Sequence, residues 1–318
     1  MALKVQSFQE VVDEEIPDAA SIMGDGVLIP GGAMVVAGPS QTYKSFLIQD
    51  WLFALAEGRD WMGFKVAGPR TTLYVQVEIT RKQFQKRSRW LQAAYPTCKG
   101  GRAFYAHAQD WMLDTARNRE ELEEAIKSCK AEVCIIDPLN LTLSGSENSD
   151  EDTRYYLRSL NKIRQDLGVL VGFVHHVRKG QIYEGKEVDA GQHDVRGHGN
   201  LNNWPDTILR TNLVSPSTIE CRWLKLRNSE PLGSFWLRFD RDTHVLREAE
   251  DDPKRVLLSL LASGPVPKGD LDKQVIEETG IGINKARDVR KELHGLGLVE
   301  EVRDPENRKR VLVQKVEG

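Results

Sequence analysis

Cysteine is scarce in this chain, neither charge sign dominates, and no long apolar run occurs; each shortage removes a class of protein. The four cysteines, Cys98, Cys129, Cys134 and Cys221, make no C-x-x-C pair and no ligand-like spacing. That excludes a disulfide scaffold and points to reduced thiols in a cytosolic setting. Lys and Arg number 44 against 47 Asp and Glu, for a formal net charge of −3. A general polycation is thereby ruled out, so any nucleic-acid contact must come from local patches. No apolar stretch approaches the roughly 20 residues that span a bilayer. The opening MALKVQSFQEVVDEEIPD carries acids where a secretory signal needs basic and apolar segments. The expectation is a soluble, cytoplasmic protein with no membrane association.

What remains describes an ordinary globular chain, 40% hydrophobic and 29% charged over 318 residues, enough for one large and one small domain. Apolar β-type runs alternate with amphipathic helical stretches. GAMVVAG precedes SFLIQDWLFALAEG, TTLYVQV precedes TRKQFQKRSRWLQAAY, and RAFYAHA precedes NREELEEAIKSCK. AEVCIIDPLNLTL then leads through DEDTRYYLRSLNKIRQDLG to VLVGFVHH. Continuous apolar strands separated by helices predict an α/β fold with a mostly parallel sheet covered on both faces. DTILRTNL, STIECRWLKLR and SFWLRFD follow without helices and read as an antiparallel extension of that sheet. The expected division is an N-terminal segment 1–26, the α/β domain 27–247, a linker at 248–254 and a small domain at 255–318. In the small domain three helices precede a hairpin, the element order of a winged helix.

The first strand ends in VVAGPSQTYKSF, close to the phosphate-binding pattern G-x-x-x-x-G-K-[ST]. Gly38, Pro39, Ser40, Gln41, Thr42, Tyr43, Lys44, Ser45 and Phe46 would form the loop. Its backbone N–H groups and the helix dipole suit an anion. Lys44 would reach the β- and γ-phosphates of ATP, and the Ser45 hydroxyl would ligate Mg2+. Tyr43 stands where the pattern has its second glycine, a position that favours backbone angles tyrosine resists. Asp137 ends the strand VCIID, where an acid can hold the Mg2+ shell through water. Glu78 follows TLYVQV at the sheet edge where such folds place ligands, and can orient or deprotonate an attacking water. His175 and His176 end another buried strand. His193 and His198, further on, have no cysteine partner or ordered spacing for zinc.

In this order, GPSQTYKS, VEITRKQFQKR, IIDPLN, VHHVRKG and WLKLRNSEPLGSFWLRFD resemble the motifs of RecA-like hexameric ATPases. The nearest resemblance is to plasmid and phage replicative helicases of the RepA type, in the DnaB-like group. It implies ATP hydrolysis at subunit contacts in a ring, with Glu78 the catalytic carboxylate, Asp137 the Walker B acid and His176 the γ-phosphate sensor. Lys225 and Arg227 match the K-x-R element that reaches a neighbour's nucleotide, and Arg196 competes for that role. In that family some P-loops carry an aromatic residue where Tyr43 stands. Tyr43 then reads as a variant of a working loop that alters how the backbone turns over the β-phosphate.

In such a ring, Arg178, Lys179 and Lys186 would meet single-stranded DNA, whereas the loop after Asp137 is too acidic for that role. In the small domain, Ile283, Ala286, Val289 and Leu293 share one helical face. Lys285, Arg287, Arg290 and Lys291 are then expected towards solvent, beside a hairpin tip carrying Arg303, Arg308, Lys309 and Arg310. A recombination or repair ATPase without processive unwinding, and a nucleotide-responsive DNA-binding regulator, remain the alternatives.

Overall fold

The computed structural model describes residues 5–14, 21–147, 149–177, 199–305, 307 and 310–316, with the backbone alone at 182–183 and 186–187. Expected alternation becomes β1 (Ala33–Gly38), α2 (Lys44–Glu57), β2 (Thr72–Gln76), α3 (Arg81–Ala94), β3 (Ala103–His107), α4 (Ala116–Cys129), β4 (Val133–Asp137), α5 (Asp150–Leu167) and β5 (Leu170–His176). A short helix, α1 (Phe8–Asp13), precedes them. After β6 (Ile182–Tyr183), β7 (Lys186–Glu187) and α6 (Gly199–Asn203) come β8 (Thr207–Ser215), β9 (Thr218–Leu226), β10 (Phe235–Phe239) and β11 (Leu246–Glu248).

Nine strands form one sheet in the order β11-β10-β9-β8-β1-β5-β4-β2-β3. The run from β8 to β3 is parallel, and β9, β10 and β11 add the antiparallel edge. This is the mostly parallel α/β architecture the alternation predicts, with the core of a RecA-like P-loop domain. One detail differs. β8 joins the antiparallel extension through β9 but also pairs parallel with β1, because the long connection after β5 lets the chain cross over before it pairs. Burial explains the near-continuous apolar strands, since every residue of β1, β2 and β4 is buried. Leu47, Ile48, Trp51 and Leu55 of α2 pack on one face of the sheet. On the other, Leu122 and Ile126 of α4 pack with Tyr156, Leu160 and Ile163 of α5. The carboxyl ends of β1, β2, β4 and β5 therefore meet along one edge.

Beyond the sheet lie α7 (Pro253–Leu260), β12 (Val266–Pro267), α8 (Lys268–Thr279), α9 (Ile283–Gly295), β13 (Val299–Arg303) and β14 (Val311–Lys315). A three-stranded sheet ordered β12-β14-β13 closes this unit. Its own apolar cluster includes Leu257, Leu271, Val275, Val289, Leu293 and Val313. The stretch read as a linker is not slack: Asp252 is buried, accepts from Trp236 N at 2.7 Å and caps α7 through Lys254 N at 2.8 Å. Among the described residues no helix is long and apolar enough to cross a membrane.

Candidate nucleotide site

Gly38 ends β1 and must be glycine. A Cβ there would lie 2.3 Å from Thr211 Oγ1 and 2.5 Å from the Thr211 carbonyl oxygen. The loop then returns to α2 through two left-handed residues, Gln41 at φ 66° and Tyr43 at φ 57°. Tyr43 thus occupies the backbone region that a glycine enters freely, at a cost of about 1–2 kcal/mol for a non-glycine residue. Two contacts offset it: the ring stacks on Phe239 with centroids 4.7 Å apart, and the hydroxyl donates to Pro216 O at 2.8 Å. A stacked pair contributes about 0.5–1.5 kcal/mol and a hydrogen bond about as much. Tyrosine therefore makes the turn instead of redirecting the loop. With no side-chain cap at Tyr43, the first-turn N–H groups of α2 remain open to an anion.

Lys44 is buried, and its ammonium donates to Gly38 O at 2.9 Å and Pro39 O at 2.6 Å. Burial lowers its pKa to about 8, against the upward pull of Asp137 and Glu78. At the end of β4, Asp137 is fully buried and accepts a hydrogen bond from the Tyr74 hydroxyl through Oδ2. Burial pushes that carboxyl's pKa up and outweighs the Tyr74 and Ser45 hydroxyls and the Lys44 charge, which pull it down. Asp137 Oδ1 is buried without a hydrogen-bond partner. An orphan carboxylate oxygen beside a hydroxyl is the donor set a hard divalent cation takes, so Ser45 and Asp137 fit Mg2+.

Register places the remaining groups. Gly38 lies opposite His176 in the β1–β5 pair, and Val177 N donates to Gly38 O at 3.1 Å. His176 has its pKa lowered to about 4, first by burial and then by Lys44 and His175, so the ring is neutral at pH 7. Its Nδ1 is buried without a partner. Gln76, opposite Asp137 in the β2–β4 pair, accepts the backbone N–H groups of Glu78 at 2.5 Å and Ile79 at 3.0 Å through Oε1. That clamp sets the exposed Glu78 at the sheet edge. A cavity of about 370 Å³ brings together Ser40 to Phe46, Glu78, His176 and Arg87.

Arg87, Tyr74 and Thr211 had escaped sequence reading. Arg87 lies over the Phe46 ring at 4.3 Å, and Thr211 Oγ1 meets Thr42 Oγ1 at 2.7 Å. The signal for Arg87 was its place one turn after Phe84 on the helix that follows Glu78; Thr211 had no local signal.

Lys225 and Arg227 are not in the cavity. They end β9 beside Thr207 and Met34, at the opposite end of β1 from the loop. There Lys225 donates to Asn202 O and Asn203 O at 3.0 and 2.9 Å, and Arg227 pairs with Asp206 at 2.6 Å. Arg178, Lys179, Arg196, Arg308 and Lys309 lie outside the described residues, as do His193, His198 and the Lys186 side chain.

The α9 expectations need correction. Arg290 is buried, not solvent-facing: it pairs with Asp272 at 2.9 Å and Glu301 at 2.5 Å. Ile283, placed on the core face by its spacing, is 41% exposed. Lys285 is half-buried and turns towards the large sheet, pairing with Glu220 of β9 at 2.7 Å. Arg287 and Lys291 are exposed, the latter 3.8 Å from Asp288, and Arg310 pairs with Asp270 at 3.1 Å.

Against known proteins, the family described as an AAA domain matches residues 2–181, which take in the P-loop, Glu78, Asp137 and His176. No curated protein matches the chain.

Proposed function

The chain belongs to the AAA-domain family, a P-loop ATPase domain of RecA-like type, and we propose that it is an ATP-dependent motor acting on DNA. The reading supported best is a replicative-type helicase or helicase-like translocase that hydrolyses ATP where copies meet in a ring, a hexamer by analogy with the families it resembles. One observation carries it: four strand ends deliver Lys44, Glu78, Asp137 and His176 to the same edge, three of them to one cavity and the fourth, Asp137, buried beside Lys44 and Ser45.

In this reading the loop amides and Lys44 bind the phosphates of ATP. Ser45, and Asp137 through water, would hold Mg2+, which would supply positive charge against the phosphates. Glu78 aligns and deprotonates the attacking water. Neutral His176 reports the γ-phosphate through a hydrogen bond to the strand that leads towards Arg178, Lys179 and Lys186. Lys225 and Arg227 lie too far from their own chain's cavity to complete it, which suits a role in a neighbour's site; Arg196 is the competing candidate. The three helices and hairpin of the C-terminal unit act as a winged helix, with Arg287, Lys291, Arg308, Lys309 and Arg310 its remaining phosphate contacts.

DNA-stimulated ATPase measurement tests the proposal. The wild type is expected to hydrolyse ATP faster with single-stranded DNA and Lys44→Ala to abolish turnover, while a tailed duplex separates helicase from translocase. Turnover that ignores DNA would remove the motor. The second reading, a nucleotide-responsive DNA-binding regulator, is favoured by one contact: Lys285 of α9 is held on Glu220 instead of facing solvent.

A further inference from the structure

The two carboxylate oxygens of Asp137 sit in different surroundings. Oδ2 accepts from the Tyr74 hydroxyl, while Oδ1 is buried without a hydrogen-bond partner among the described residues. Oδ1 is thus the oxygen left for a water of the Mg2+ shell, with the Ser45 hydroxyl close to the same carboxyl. The last torsion of an aspartate is soft, so an unanchored carboxylate would present either oxygen at a range of angles. The hydrogen bond from Tyr74 fixes its plane.

Strand alternation explains how a residue of β2 reaches the acid that ends β4. Thr72, Tyr74 and Gln76 share one face of β2, and the Thr72 hydroxyl donates to Leu52 O of α2 at 3.4 Å. That face looks towards the helix that opens with Lys44 and Ser45. Register sets Tyr74 opposite Ile135 and Gln76 opposite Asp137, so the Tyr74 hydroxyl reaches two residues along to the strand end. Its ring is buried, with the Phe84 and Tyr105 centroids at 5.9 and 6.5 Å. Phenylalanine would fill this space equally well. A buried hydroxyl costs stability unless it is bonded, and the single proton of this one goes to Asp137.

We propose that Tyr74 is a positioning residue for the metal site, locking Asp137 so that Oδ1 faces the water of a nucleotide-bound Mg2+. Tyr74 does not line the nucleotide cavity, and it acts through the acid alone. Gln76, on the same face of β2, does the matching task for Glu78 by accepting the Glu78 and Ile79 N–H groups. One strand thereby sets both acids, one for the metal and one for the attacking water. The inference rests on the ATPase reading and can fail while that reading stands.

A fluorescent ATP analogue, titrated onto the full-length protein in EDTA and again in Mg2+, tests it. The ratio of the two affinities measures what the metal adds, and partial unfolding of a variant lowers both arms alike. Wild type should bind more tightly with Mg2+. Tyr74→Phe, which keeps the ring, should bind like wild type in EDTA but lose about tenfold or more of the ratio. Losing the hydrogen-bond partner of a metal-holding group typically costs about 10- to 100-fold. Its half-maximal turnover should need correspondingly more Mg2+. Added to Asp137→Asn, Tyr74→Phe should lower the ratio no further, since no carboxylate is left to hold. Gln76→Leu should slow turnover and leave the ratio at the wild-type value. A Tyr74→Phe ratio equal to wild type would overturn the inference and leave the ATPase reading intact. So would losses that multiply in the double variant, or a Gln76→Leu ratio that falls as far, which would make the effect a general loosening of β2. Wild type that gains no affinity from Mg2+ and turns over no ATP would remove the ATPase reading and the inference with it.

Discussion

Lys44 is held near pKa 8 by burial, so in the free protein its ammonium begins to lose its proton just above neutrality. Phosphates favour the charged form, and affinity for ATP should be level up to about pH 8. Above that point it should fall by up to about tenfold per pH unit. A fluorescent-nucleotide titration from pH 6.5 to 9.5 checks this, with Lys44→Ala expected to bind weakly and without the alkaline fall. Arg290 is the second decisive residue. Removing it leaves Asp272, a buried acid, with Arg287 at 4.0 Å as its one ion-pair partner among the described residues. Breaking a buried pair typically costs about 3–5 kcal/mol, so Arg290→Ala should unfold the C-terminal unit, seen by circular dichroism, before DNA affinity can be judged. The candidate nucleotide residues were legible because each closes or follows an apolar strand and matches a spacing. Arg290 was not, because helical periodicity cannot show that α8 and β13 each bring an acid to it.

At the scale of elements, the β8–β9 hairpin joins two regions far apart in sequence. It meets the P-loop through Thr211 on Thr42 and Pro216 on Tyr43, and it meets α9 through Glu220 on Lys285. Burial pushes the Glu220 pKa up, yet Lys285 and Arg222 together hold the carboxyl below its usual range. The pair therefore stabilises docking above about pH 4.5 and is lost as pH falls through the lowered value. Lys285→Glu should loosen α9 and speed amide exchange in the hairpin, and adding Glu220→Lys should restore protection. Unchanged exchange in both variants would show that the hairpin does not feel α9. Strand identity and order along the chain were readable from apolar runs. The parallel pairing of β8 with β1 was not, since β8 has the same local pattern whichever neighbour it joins.

For the molecule as a whole, one sheet carries two large apolar clusters, while the C-terminal unit has its own. The contacts between unit and sheet include the polar pair Lys285–Glu220 and Asp252 on Trp236 N, along with Ser234, whose N–H donates to Glu292 and whose carbonyl accepts from Lys254. Calorimetry should therefore show two transitions. ATP at a hundred times its Kd should raise the larger by the equivalent of about 2.7 kcal/mol. A smaller transition that moves equally would mean the hairpin transmits nucleotide binding to α9.

Local chemistry alone was enough to establish the α/β alternation, the phosphate loop, the acids at strand ends and the three-helix tail, because these follow from periodicity and from residue types that only certain chemistry needs. Tyr43 marks the limit of that reasoning. Its backbone angle would count against it in isolation, and its tolerance depends on Phe239 and Pro216, some 170 to 200 positions away, which folding brings against the loop. The same holds for Arg290, Lys285 and Arg87. Whether a charged side chain faces water, an acid or a ring depends on what the rest of the chain packs against it, and one-dimensional spacing carries no record of that.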